Sequence, residues 1–273
     1  MDITGTAFIT GGGSGIGKAC AHGLAKAGSR AIFVTDIDVQ AAQKTADETR
    51  SIATYAEFSV EAVQLDITIE ADVKAAVARM VDQYGRIDYC IHSAGISATT
   101  FNPVSATDSD DFKHVQNVNV FGTFLITNTV AAAMMSQEPV PYDLSLPGKG
   151  MTRGSIVNLG SLASVIALPN MVQYNTAKHG VLGITKTAAM DLVKDGIRVN
   201  CVCPAWTATP MVEQANRMFP GLEEAMMQQV PMGRLALPQE IAETVLFLCS
   251  PKSSYVTGSS MIVDGGMSLG CYR

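Results

Sequence analysis

Charge is scarce in this chain of 273 residues: Asp, Glu, Lys and Arg together make up 16% of it, while hydrophobic residues make up 47%. That balance excludes a disordered or solvated tail and calls for a body with a substantial core. The little charge present leans acidic, 19 basic against 25 acidic residues for a formal −6, and no basic run offsets it. A nucleic-acid partner is therefore not expected. No apolar stretch is expected to reach the length needed to span a bilayer, and Met1 leads within a few residues into a strand-like segment that leaves no room for a signal peptide. A cytoplasmic protein with no membrane partner is expected. The six cysteines (Cys20, Cys90, Cys201, Cys203, Cys249, Cys271) have neither the spacing of a zinc site nor the density of a disulfide scaffold. Free thiols and no metal follow, with Cys201 and Cys203 facing the same side of a strand as ordinary small residues.

What is present is an alternation of strand-like and helix-like stretches. Apolar runs at Thr6 to Thr10, Ala31 to Thr35, Glu61 to Leu65, Ile87 to Ile91, Gly154 to Ser161, Ile197 to Cys203 and Ser260 to Val263 read as strands. Between them, helical patterns run through Ala27, then over Val39 to Ile52, Ile69 to Tyr84, a long stretch capped by Thr107 to Asp111, Met171 to Asp195, and Pro238 to Leu248. Such alternation implies an α/β fold of parallel strands with right-handed crossovers, in which ligands gather at the carboxyl ends of the strands. No linker or repeat divides the chain, so one domain spanning 1–273 is expected. Two stretches break the pattern. Gln137 to Arg153 reads as a surface loop insertion. Ala205 to Arg234 is irregular and holds Trp206, Met211, Met218, Phe219, Met226 and Met227, the composition of either an apolar substrate lid or two packed short helices.

Three groups of residues carry chemistry. Gly11, Gly12, Gly13, Ser14, Gly15, Ile16 and Gly17 lie between a buried strand and a helix. In that setting backbone N–H groups and the helix dipole face an anion, and residues without side chains let a pyrophosphate approach. Asp36 ends the next strand, where a carboxylate accepts hydrogen bonds from an adenosine ribose and repels a 2′-phosphate by roughly 4 kcal/mol at about 4 Å. Arg30 lies at the other end of that strand, about 20 Å away, so NAD is expected in preference to NADP. Tyr174 and Lys178 are four apart on one helix and therefore share a face. A neighbouring cation favours the ionised form of a phenol, which makes the pair a candidate proton carrier. Asn119, within Val118 to Phe124, is a poor helix former that must be hydrogen-bonded if buried, and reads equally as a helix irregularity or a functional group.

Taken in order, TGGGSGIG, Asp36, VNVFGTF, Ser161, YNTAK, CPAWTATP and VTGSSMIVDGG resemble the short-chain dehydrogenase/reductase family from Thr6 to Gly266, and in particular its fungal members, many of them in secondary metabolism. The resemblance implies a single Rossmann-type, doubly wound domain with a seven-stranded parallel sheet flanked by helices. It implies Tyr174 as catalytic acid/base, Lys178 as its assistant and holder of the nicotinamide ribose, Ser161 as the hydroxyl that orients the substrate oxygen, and Asn119 as the anchor of a proton-relay water. Gly11, Gly15 and Gly17 would form the pyrophosphate loop, Asp66 and Ile67 the adenine pocket, and Thr209 the contact to the carboxamide. Gly13, Ser14, Ile16, Ile37, Ser93, Ala94, Gly95, Pro204 and Thr207 complete the implied cofactor set, with Trp206 and Met211 facing a substrate. His92-Ser93-Ala94-Gly95 departs from the family's Asn-Asn-Ala-Gly, which puts the loop's structural hydrogen bonds in question, and Ala205 follows Pro204 where glycine is common. The expected reaction is hydride exchange between NAD(H) and a secondary alcohol or ketone, on a fairly large apolar small molecule, in a homo-oligomer (dimer or tetramer). An NADPH-dependent carbonyl reductase and a non-catalytic dinucleotide-binding regulator stand as alternatives.

Overall fold

The first strand, β1 (Thr6–Thr10), is buried along its whole length because helices cover both faces of its sheet. The computed structural model describes residues 3–219 and 221–270; Cys271 and the side chain of Met218 lie outside the described residues. After β1 come α1 (Gly15–Lys26), β2 (Ala31–Asp36), α2 (Val39–Ile52), β3 (Ser59–Gln64), α3 (Glu70–Tyr84) and β4 (Tyr89–His92). The chain continues through α4 (Ser109–Gln116), α5 (Gly122–Met135), a small hairpin of β5 (Val140–Pro141) and β6 (Met151–Thr152), and β7 (Gly154–Leu159). It ends with α6 (Val172–Leu192), β8 (Ile197–Pro204), α7 (Pro210–Met218), α8 (Leu222–Gln229), α9 (Pro238–Cys249) and β9 (Ser260–Val263).

The main sheet has seven strands in the order β3-β2-β1-β4-β7-β8-β9, every neighbouring pair parallel. Strand order runs outward from β1 to β3 and then resumes on the other side of β1 with β4. The reversal leaves a crevice between the ends of β1 and β4, where a doubly wound sheet binds its ligand. Successive residues of a strand point to opposite faces. Ile9, Val34, Val157 and Val202 therefore pack with α1 and α9 on one face. Phe8, Phe33, Ile156 and Val199 pack with α3 and α5 on the other. Full burial of a side chain such as Phe8 or Phe33 contributes about 1.5–3 kcal/mol.

Several boundaries differ from those read in the sequence, each for a local reason. Strand β4 starts at Tyr89 and not at Ile87, whose backbone N–H and C=O are taken by the buried amide of Gln137 at 2.7 and 3.1 Å. Strand β3 starts two residues before Glu61 and closes at Gln64. The helical stretch Ser109–Met135 is continuous for 27 residues, and its most apolar window has a mean hydropathy of 1.5. It is long and apolar enough to cross a membrane, which corrects the expectation that no stretch is. Half of that window is buried inside the fold, packed with α3 and α6 as a core helix. Between α4 and α5 the helix widens into a π-turn over Asn117–Phe121, centred on Asn119. The insertion 137–153 is an ordered hairpin: Arg153 donates to the carbonyls of Gln137 and Asp195, and Lys149 pairs with Asp143 at 3.1 Å. Ala205 to Arg234 resolves into α7 and α8, which lean over the carboxyl edge of the sheet.

Candidate active site

The carboxyl ends of β1, β2, β4, β7 and β8 open onto a cavity of about 1090 Å³. Its floor begins with the glycine loop. Gly11 has φ +63°, and a Cβ there would lie 2.7 Å from the backbone of Ala94, so the loop after β1 can seat against the loop after β4 only as glycine. A Cβ on Gly17 would collide with the carbonyl oxygen of Gly11. Ser14, the N-cap of α1, makes no side-chain cap bond, which leaves the first N–H groups of the helix free to meet an anion. Gly11, Ser14, Gly15 and Ile16 line the cavity, whereas Gly13 and Gly17 stand behind its wall as supports. This cradle fits the pyrophosphate of a dinucleotide.

Asp36 is held at the rim by two backbone N–H groups, from Gly13 at 2.9 Å and Asp38 at 3.0 Å. It does not cap the following helix; Asp38 does, accepting from Gln40 and Ala41. Asp66 accepts the backbone N–H and hydroxyl of Thr68, and with Ile37 and Ile67 it walls the same end. Ser93, Ala94, Gly95, Pro204, Thr207 and Thr209 also line the cavity.

At the other end of the crevice α6 presents Tyr174 and Lys178 side by side, with the ammonium 5.6 Å from the centre of the phenol ring. Lys178 is 7% exposed and donates to the carbonyl of Leu159 at 2.9 Å, an anchor that ties the cation to the end of β7. Ser161 follows β7 and lines the cavity beside them; its oxygen accepts from the N–H of Ala163 at 3.1 Å, which leaves its own proton to donate. Asn119 is not on the cavity wall. Its amide is spent on Ile96, accepting from the N–H and donating to the C=O at 2.8 Å each, so it straps the loop that carries Ser93 to Gly95.

His92 answers the question raised by the HSAG loop. Thr123 donates to the carbonyl of Asn119 at 2.6 Å and so accepts from His92 Nε2–H at 2.9 Å. The Nδ1 atom is then left to accept from the Thr10 hydroxyl at 2.7 Å, and Thr10 accepts from the Ala94 N–H at 3.3 Å. Both ring nitrogens are satisfied in one tautomer, linking the loop after β4 to the π-turn. Burial, reinforced by the charge of Lys178, pushes this imidazole down to about 3. It is a neutral structural group at any ordinary pH.

The remaining wall is mostly apolar. Trp206 and Met211 lie on it as expected, and the Trp206 indole reaches Gln229 on α8 at 3.4 Å. Phe101, His114, Leu168, Asn170, Met171 and Gln229 also line it and were not read from the sequence. They come from loops and helix flanks with no motif of their own. The one local signal was weak: Asn170 sits at φ +61°, a left-handed conformation that Asn tolerates better than most residues. Among the described residues no cluster of three or more His, Cys, Asp or Glu could hold a metal ion. Cys201 and Cys203 face the same side, with sulfurs 3.7 Å apart behind Gly160.

Comparison with known proteins places these features in context. Residues 11–268 match a family model described as enoyl-(acyl carrier protein) reductase. Short-chain dehydrogenase fogB of Aspergillus ruber is 49% identical over 269 residues, covering 98% of each chain. Short-chain dehydrogenase srdC of Neurospora crassa is 47% identical over 272 residues, covering 100% of each. The crystal structure of levodione reductase superposes with a TM-score of 0.86 at 30% identity, covering 99% of this chain and 100% of that one.

Proposed function

The chain belongs to the short-chain dehydrogenase/reductase family, a family of oxidoreductases that use nicotinamide dinucleotides, and from that premise we propose that it exchanges a hydride between NAD(H) and a secondary alcohol or ketone with a fairly large apolar body. The observation that carries this reading is the convergence of Tyr174, Lys178 and Ser161 on the cavity that the glycine cradle also lines. A bound nicotinamide supplies or receives the hydride. Tyr174 takes the hydroxyl proton in oxidation and returns it in reduction. Ser161 donates its free proton to the same substrate oxygen, stabilising charge as it builds there. Lys178, anchored on Leu159, holds a positive charge beside the phenol and has further N–H groups for the nicotinamide ribose. Asn119 and His92 hold the loop after β4 in place from behind the wall. A screen of secondary alcohols with NAD⁺, followed at the reduced nicotinamide band, tests the reading; no turnover of any member would defeat it.

The choice of NAD is supported by the charges on the wall. Among its described residues Asp36, Asp66 and Lys178 are the charged ones, so the adenosine end offers two carboxylates and no cation to a 2′-phosphate. Titration calorimetry is expected to give NAD⁺ at least about tenfold tighter than NADP⁺, the repulsion at Asp36 being reduced by solvent. Asp36→Ala should narrow that gap, and tighter NADP⁺ binding by the unaltered protein would reverse the assignment.

We also propose a homo-oligomer, a dimer or tetramer, in a cytoplasmic setting. Phe121 and Phe124 stack with centroids 6.3 Å apart, and both are nearly half exposed on one helix. Exposed Met135 and Met190 add apolar surface on α5 and α6. Sedimentation velocity should show an assembly that Phe124→Glu breaks into monomers; a monomeric parent protein would end this proposal. The five described cysteines are free, in keeping with a reducing compartment. We further propose a place in secondary metabolism, the setting that the motif resemblance to fungal members of the family implies.

A further inference from the structure

The cavity keeps its charges away from the lid. Asp36 and Asp66 follow β2 and β3, and Lys178 is tied to Leu159. Among the described wall residues contributed by the loop after β4, the approach to α6 and the lid helices, none is Asp, Glu, Lys or Arg. Here the rings of Phe101 and Phe219 meet edge to face, 5.6 Å between centroids and 90° between planes.

The two rings come from different parts of the fold and are held differently. Phe101 rides on a loop strapped to the catalytic helix: Asp111 accepts the hydroxyls of Thr99 and Thr100 at 2.6 and 2.9 Å. Gln173, fully buried and adjacent to Tyr174, donates to both Asp111 and the carbonyl of Thr100 at 2.8 Å. The position of Phe101 is thus fixed relative to the proton carrier. Phe219 ends α7 and is 47% exposed, its ring leaning on Phe101. A substrate whose oxygen sits between Ser161 and Tyr174 would extend toward this pair and meet no charged group on the way.

We propose that Phe101 and Phe219 set the length limit of an uncharged, apolar substrate, and so decide which molecules this site accepts. The proposal rests on the oxidoreductase reading of the cavity and names the substrate class for it. A rigid ring and a lid ring in contact close the apolar chamber, so added carbon is welcome until it reaches them. A terminal carboxylate would lose its water there with no lysine or arginine to replace it.

Trp206 supplies the measurement, since it is the sole tryptophan of the chain and lies on the cavity wall. Its emission can be followed while 2-alkanones from 2-butanone to 2-dodecanone are titrated into the protein with saturating NAD⁺, a combination that cannot react. Affinity is expected to rise by about fourfold per methylene and then level off. In Phe219→Ala and Phe101→Ala the plateau should move by about two carbons or more to longer chains, because each change opens space at that end. Alkanones ending in a carboxylate should bind at least about tenfold more weakly than methyl-ended ones of the same length. If an alanine variant melts early, Phe219→Leu and Phe101→Leu serve the same comparison with the fold kept.

An unmoved plateau in the variants, equal binding of carboxylates, or no rise with length would each overturn the proposal. Oxidation of the matching 2-alkanols with NAD⁺ separates the two levels of inference. Length-dependent binding with no turnover would refute the oxidoreductase reading and leave the length limit standing. Turnover with an unmoved limit would do the opposite.

Discussion

Replacing Tyr174 by phenylalanine is expected to lower turnover by about 10²–10⁴-fold, the range that a positioned general acid/base contributes, while cofactor affinity stays nearly unchanged. The phenyl ring can occupy the same place over Lys178, whose own bond to the Leu159 carbonyl does not involve the phenol. Only the proton-carrying oxygen is lost. Lys178→Ala should behave differently: it leaves the buried Leu159 carbonyl without its donor and strips the crevice of its cation, so cofactor binding and turnover should fall together. Nicotinamide fluorescence for binding and single-turnover hydride transfer for chemistry distinguish the two patterns. Substantial activity in the phenylalanine variant would remove Tyr174 from the mechanism.

The second large effect is on stability in acid. His92 is buried neutral, its imidazole lowered from 6.5 to about 3 chiefly by burial. The unfolded chain binds a proton there as pH falls below about 6.5, and the folded chain does so only near 3. Between those values the unfolded state holds more protons, so stability falls with falling pH, by up to about 1.4 kcal/mol per unit. Across the whole window the loss from this one group is on the order of 4 to 5 kcal/mol, a large share of a typical domain's stability. His22, also lowered chiefly by burial, acts in the same direction. Carboxylates such as Asp143 and Glu240, held down to about 2 by hydrogen bonds, begin to shed their contribution at the bottom of this window, as pH falls through their ordinary values, and continue below it. Urea unfolding at pH 7, 6, 5 and 4 should therefore show a steep decline in the parent protein and a shallower one in His92→Asn, which has no titrating ring. Parallel declines would mean that the buried imidazole is not what acid attacks.

Much of this was legible in the sequence because it depends on local rules. A run such as TAFIT followed by glycines can only be a buried strand entering a tight turn, and residues four apart on a helix must share a face. Asp36 could be placed by its distance from the loop, while the cap of the next helix, Asp38, shows only in the structure. What stayed hidden depends on partners far apart in the chain. Ile87 was lost to β4 because of Gln137, fifty residues on, and no periodicity records that pairing. Asn119 reads from the sequence as a helix irregularity or a functional group alike, with no sign that its amide is spent on Ile96 and stays off the cavity wall. Phe101 lies in a loop whose place is set by Asp111 and Gln173, so its meeting with Phe219 could emerge only from the folded chain.

The π-turn at Asn117–Phe121 changes how this helix should be compared with those of its relatives. One additional residue in a helical turn rotates everything after it by about 100° relative to an unbroken α-helix. Val115 is buried upstream of that turn, and Ile126, Val130 and Met134 are buried downstream of it. The two segments are thus independently phased: one is fitted to the strapped loop, the other to the sheet. An alignment carried across this point by counting residues would misphase one of the two segments by about 100° wherever a relative lacks the extra residue.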